Sequence, residues 1–190
     1  MPEQRDLVFP PGSLVLVAGL PGAGKSTLLR RLYGLTDTET EPVPIGGAVV
    51  IDSTQARNWW SSYLRPLPPR GRIPFVYATH VWRIGRALTD GRSVVAHTRG
   101  TWPHLLYGFG WLARRGGSGL HLVLLDVPPT LARAGQHERG RVLTGPVFAR
   151  HVRRWHKLVG RAHDGSLPPV ASVTVLRRED ADRVRIIRFG

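Results

Sequence analysis

The stretch Gly19-Leu20-Pro21-Gly22-Ala23-Gly24-Lys25-Ser26-Thr27 matches Gly-x-x-x-x-Gly-Lys-[Ser/Thr] at every position. Glycines at these positions let the backbone take positive φ and come close to a ligand. The N–H groups of such a loop, with the N-terminus of a following helix, form a nest for phosphate. Gly19, Pro21, Gly22, Ala23, Gly24, Lys25, Ser26 and Thr27 are therefore read as nucleotide-binding residues. Lys25 is expected to reach the β- and γ-phosphates, and the Ser26 hydroxyl to ligand Mg²⁺ brought in with the nucleotide. The chain has 25 arginines and only two lysines, Lys25 and Lys157. A lysine at this one place points to a demand for a compact ammonium where a wide guanidinium would not fit.

A second chemical group is Asp52, which ends the apolar run Ala48-Val49-Val50-Ile51. In open α/β sheets ligands bind beyond the carboxyl ends of the strands, so Asp52 is placed where a γ-phosphate would lie. Arg57 follows it by five residues. His80 and Arg83 share a face of a long helical stretch, and His97, Thr98 and Arg99 close another apolar run. His80, Arg83 and Arg99, with Arg57, are candidates to line an acceptor pocket. Asp126 also ends an apolar run and could act as a Mg²⁺ carboxylate, but is read as structural. Trp59 and Trp60 beside Arg57 suit base stacking, and core packing is the preferred reading of the two rings.

The elements that must position these groups alternate. Apolar runs at 14–18, 48–52, 93–97, 120–127 and 170–176 read as strands. Helices are expected over 26–33, 53–64, 74–90 and 103–115, from Thr130, and from Pro146, whose core face is Phe148, Val152, Trp155, Leu158 or Val159, and Ala162. Residues 1–13 read as a polar lead-in, 36–47 as an acidic loop not expected to face phosphate, and 65–72 as a Pro- and Arg-rich loop. The tail, 180–189, fits either a closing helix or a strand. Strands alternating with helices imply an α/β fold of three layers, a parallel five-stranded sheet with helices on both faces. At 190 residues, without internal repeats, the chain is expected to be a single domain.

Composition narrows the classes. There are no cysteines, which excludes disulfides, thiolate metal sites and cysteine nucleophiles. No apolar run approaches the ~18 residues of a membrane span, and Met1 to Asp6 shows no signal-peptide pattern, so a cytoplasmic protein is expected. A net charge of +14 favours acidic partners: a nucleotide, a phosphorylated metabolite or nucleic acid.

The order of these features resembles the small P-loop kinases: polynucleotide 5′-kinase, zeta toxin, chloramphenicol phosphotransferase and gluconate kinase. The phosphate loop, an acid and arginine after the second strand, and an arginine-containing segment after the fourth strand carry the resemblance. The Asp-x-x-x-x-Arg spacing here is wider than the Asp-x-x-Arg frequent in those families, which leaves the role of Arg57 open. The resemblance implies a P-loop NTPase fold with ATP and Mg²⁺ as cofactors and a lid at about 132–145. It also implies transfer of the γ-phosphoryl group to the hydroxyl of an acceptor that the sequence does not name. Asp52 would be the general base, or else a carboxylate holding Mg²⁺ through water. Arg139 and Arg141, with Arg133 behind them, would close over the phosphates beside Lys25. Two other readings stay open: a polynucleotide 5′-hydroxyl kinase, and a nucleotide-binding regulatory ATPase with no transfer acceptor.

Overall fold

The computed structural model describes residues 5–98, 103–140, 142–167 and 169–190. Arg99 and Arg141, two of the residues singled out above, lie outside them. The elements run β1 (Arg5–Phe9), β2 (Leu14–Gly19), α1 (Lys25–Tyr33), β3 (Val43–Ile45), β4 (Ala48–Ile51), α2 (Ser53–Trp60), α3 (Pro69–Thr89), β5 (Ser93–Thr98), α4 (Pro103–Arg115), β6 (Leu120–Leu125), α5 (Pro129–His137), α6 (Gly145–His163), β7 (Val170–Leu176), α7 (Arg178–Arg183) and β8 (Val184–Phe189).

Six strands form one sheet in the order β3-β4-β5-β2-β6-β7. All neighbours pair parallel except β3, which pairs antiparallel with β4. The two central strands, β2 and β6, are buried at every position, as continuous apolar runs in a sheet covered on both faces must be. Alternation sorts the two faces. Leu14, Leu16, Val49, Ile51, Val94, Leu122 and Leu124 pack with Ile84 and Leu88 of α3, Phe109 of α4, and Phe148 and Trp155 of α6. Val15, Val17, Val50, Val95 and Val123 pack with Leu28 and Leu29 of α1, Ala181 of α7 and Val184 and Ile187 of β8. The three-layer α/β arrangement with its five parallel strands is the expected one.

Three local expectations are corrected, and the open reading of the tail is resolved. The polar lead-in contains β1, which pairs parallel with β8 in a separate two-stranded sheet. Leu7 and Phe9 supply its buried side, and Arg5 and Asp6 at its start made the stretch look polar. The acidic loop ends in β3, joined to β4 through Gly46 and Gly47 at φ +55° and +81°, the positive pair a two-residue hairpin turn requires. The long helix starts at Pro69, not at 74. Pro69 occupies the first helical turn, where no N–H is needed, and Pro74 sits inside α3. The tail is both things in turn, α7 then β8. Among the described residues no helix is long and apolar enough to cross a membrane.

Candidate active site

The phosphate loop joins β2 to α1, with Gly22 and Gly24 at φ +92° and +95°. Gly24 is the N-cap of α1, so the first free N–H groups of that helix open onto the loop. Lys25 is buried, and its Nζ donates to the carbonyls of Gly19 and Leu20, both at 2.9 Å. The ammonium thus spans the loop from inside.

Asp52 follows β4 directly and caps α2. Its Oδ1 accepts from the Thr54 N–H at 2.6 Å, and its own N–H donates to Gln55 Oε1 at 3.0 Å, a reciprocal capping box. On its other side, His97 Nε2 lies 3.0 Å from Asp52 Oδ1. Burial pushes the Asp52 carboxyl up, but the charge and hydrogen bond of His97 and the Thr54 N–H outweigh it and hold the group far below the ordinary carboxylate range. Asp52 is therefore ionised throughout the neutral range. His97, on β5 between the strands bearing Asp52 and the phosphate loop, brings the groups together: its Nε2 is also 3.4 Å from Ser26 Oγ and 3.4 Å from Ser53 Oγ.

Behind His97 stands His80, fully buried, its Nε2 3.0 Å from the His97 carbonyl oxygen. Burial, then the neighbouring His97, pulls the His80 pKa down to about 4. The ring is neutral at pH 7, and Nε2–H donates to the carbonyl. Arg83 is buried beside the 36–42 segment: Nη1 donates to the Thr40 carbonyl at 2.8 Å and Nη2 pairs with Glu41 at 2.9 Å. Arg57 is half-buried in the last turn of α2.

The segment after β6 packs onto the loop. Gln136 is buried, its Nε2 donating to the Pro21 carbonyl and its Oε1 accepting from the Leu143 N–H, each at 2.9 Å. A Cβ on Gly22 would be driven into the Ala132 carbonyl, and one on Gly135 would come within 2.5 Å of the Gly22 oxygen. Arg139 Nη2 donates to Thr27 Oγ1 at 2.5 Å. Arg133 lies over the Phe148 ring, 5.7 Å from its centroid. Asp126 accepts from the indole N–H of Trp155 at 3.0 Å, which ties its carboxylate to α6.

Three members of this constellation had no motif to announce them. His97 was visible only as a histidine at a strand end. Gln136 lies 115 positions from Pro21. Arg178 belongs to an ambiguous tail, yet its Nη1 lies 3.3 Å from where a Gly24 Cβ would stand. The two tryptophans also differ from the core-packed reading: Trp60 is half-buried, but Trp59 is 37% exposed.

Fold and loop together define a P-loop nucleotide-binding protein. The chain belongs to the AAA domain family, whose pattern matches residues 14–161. Among curated relatives, the cytochrome c biogenesis ATP-binding export protein CcmA of Hyphomonas neptunium is 27% identical over 178 residues, covering 89% of this chain and 86% of that one. Among solved structures, a chain of the PezAT toxin-antitoxin system of Streptococcus pneumoniae superposes with a TM-score of 0.63 at 14% identity, covering 95% of this chain and 73% of that one. A gluconokinase from Sinorhizobium meliloti 1021 superposes at 0.52 and 14% identity, covering 92% and 87%. At these identities the structures show a shared fold.

Proposed function

We propose that the protein is an ATP-dependent phosphotransferase that moves the γ-phosphoryl group to a hydroxyl acceptor. One observation carries this reading. An ionised, buried carboxylate at a strand end is joined through one imidazole nitrogen to the serine of the phosphate loop.

Residues 19–27 hold the phosphates, Lys25 turning from the Gly19 and Leu20 carbonyls toward the β- and γ-oxygens. The oxygen donors Ser26 and Asp52 fit Mg²⁺, directly or through water, and no group of three or more metal-binding His or acidic residues occurs among the described residues. Ser26 and Asp52 would hold the ion beside the phosphates, and it would supply neutralisation of their charge when bound. Asp52 accepts a hydrogen bond from the acceptor hydroxyl and orients it in line. A carboxylate of such low basicity takes the proton late, once the attacking oxygen has begun to bond to phosphorus and has become acidic. Arg139, which donates to Thr27, would supply a guanidinium to the charge on the transferring group. Residues 132–145 act as the cover that excludes water, in a single kinase-like domain working in the cytoplasm.

The test is a transfer assay with γ-labelled ATP and Mg²⁺ against cell extract split into small-molecule and nucleic-acid fractions, with Lys25→Ala as control. Label entering either fraction supports the reading and its mass identifies the acceptor. Label released only as free phosphate overturns it in favour of a regulatory ATPase.

A further inference from the structure

The C-terminal end of α2 and the first half of α3 carry an aromatic surface that the transfer chemistry leaves unused. The Trp59 and Trp60 rings meet edge to face with centroids 4.6 Å apart. Tyr63 lies 5.6 Å from Trp59, and Phe75 lies 5.7 Å from Trp60. Trp60 anchors the group, its indole N–H donating to Thr79 Oγ1 at 2.8 Å. The rings around it face outward: Trp59 is 37% exposed, Phe75 45% and Tyr63 68%. A contiguous exposed patch of this kind marks an interaction surface, where a scattered apolar residue does not.

The stretch of chain that carries the rings has charge of one sign. From Ser53 to Trp82 there are four arginines (Arg57, Arg65, Arg70 and Arg72) and no acidic residue. Arg65 and Arg70 are exposed. Arg72 donates to the Leu67 and Arg65 carbonyls at 2.8 and 3.0 Å, fixing the turn that presents them. Asn58 holds the acidic 37–39 backbone against α2, but those carboxylates are engaged locally: Asp37 with Arg30, Glu39 with Thr36, and Glu41 with Arg83.

We propose that this surface binds single-stranded nucleic acid. Unpaired bases offer flat faces that stack on exposed rings, and arginines between the rings meet the phosphates. A duplex hides its base faces and would use the charge alone. The placement fits an acceptor. Asp52 caps the start of α2, and at about 1.5 Å per residue Trp59 stands about 10 Å further along its axis. A strand stacked on the rings can run its end along α2 to the carboxylate. Binding itself is independent of the transfer chemistry, whereas guiding the acceptor rests on the phosphotransferase reading.

Fluorescence anisotropy of a short labelled oligothymidylate, with and without a complementary strand, tests the surface. Wild type is expected to bind the single strand, more weakly as salt rises, and to bind the duplex less well. Trp59→Ala and Tyr63→Ala each weaken single-strand binding by about tenfold or more. Arg65→Ala/Arg70→Ala weakens it and flattens the salt dependence. Trp111→Ala, which removes an exposed tryptophan on α4, leaves it unchanged. The proposal is overturned if the single strand fails to bind at low salt, if Trp111→Ala weakens binding as much as Trp59→Ala, or if only the arginine pair matters. Ring-dependent transfer to anionic phospholipid vesicles, with no loss of oligonucleotide binding in the same variants, also overturns it. Ring-dependent oligonucleotide binding without label transfer leaves the surface standing and removes the transferase reading; label in a small molecule with no oligonucleotide binding does the reverse.

Discussion

His97 Nε2 lies 3.0 Å from Asp52 Oδ1 and 3.4 Å from Ser26 Oγ, so a single imidazole joins the strand-end carboxylate to the phosphate loop. His97→Ala removes the largest influence that lowers the Asp52 pKa. The expected outcome is a lower kcat for transfer with little change in the KM for ATP. Asp52→Asn keeps a side-chain oxygen for the Thr54 N–H and so keeps the cap. It is expected to fold normally and to lose on the order of 10²-fold or more in transfer rate. Because the folded pKa of Asp52 is lowered, its contribution to stability is present above the ordinary carboxylate pKa. It is lost as pH falls below that value toward the lowered one. Acid titrations of unfolding should show that loss in the wild type and not in Asp52→Asn.

Lys25 holds the Gly19 and Leu20 carbonyls from inside the loop. Lys25→Ala leaves both carbonyls without the ammonium and is expected to lower ATP affinity by at least tenfold, measured by calorimetry. Lys25→Arg should rescue neither binding nor transfer, since the buried position cannot admit a planar guanidinium.

His80 is neutral in the folded chain, with its pKa pulled down to about 4, while in the unfolded chain it titrates near the ordinary value of 6.5. Its contribution is complete above pH 6.5 and is lost as pH falls from there through about 4, because the unfolded state binds the extra proton. The loss is on the order of 3 kcal/mol. Urea unfolding of His80→Gln, which keeps a donor for the His97 carbonyl, should show a flatter dependence over that interval.

Gly22 touches the Ala132 carbonyl and Gly135 touches the Gly22 carbonyl, so α5 and the phosphate loop meet backbone to backbone. Gly22→Ala adds a methyl group where there is no room and a side chain at φ +92°. It is expected to cost stability on the order of 2 kcal/mol or more, read as a lower Tm, together with weaker ATP binding. Gly140→Ala is the control: φ is +60° there too, but a Cβ meets open space, so only the smaller backbone strain remains.

Arg139 reaches Thr27 from the far side of the loop. Arg139→Ala is expected to reduce kcat by on the order of 10- to 10³-fold while Tm stays within a degree or two, because the side chain is exposed and, under the proposed phosphotransferase reading, serves transition-state charge. Thr27→Val separates the two contacts: it removes the hydroxyl that receives Arg139 and should change kcat less than Arg139→Ala does.

Much of the scaffold was legible because its signals are local. The loop at 19–27 is a backbone device written in consecutive residues. The strands at 48–51, 93–98 and 120–125 are unbroken apolar runs. β1 was not legible, and β8 only as one of two readings of the tail, because Leu7 and Phe9 become a buried edge only when the far end of the chain pairs with them. The start of α3 was misplaced because Pro74 reads as a boundary, whereas Pro69 at the first turn is the true one.

The sequence by itself determined the phosphate loop, the alternation of strands and helices, and the placing of Asp52 at a strand end. Each depends on residues within about a dozen positions of one another. Only the tertiary structure decided what surrounds Asp52. Parallel pairing of β4 with β5 and of β5 with β2 set His97 between the carboxylate and Ser26, and the packing of α5 brought Gln136 and Arg139 onto the loop. The contacts of His97 with Ser26, of Arg139 with Thr27 and of Gln136 with Pro21 span 71 to 115 positions, and their register is set by the buried faces of the sheet, which no local pattern can report.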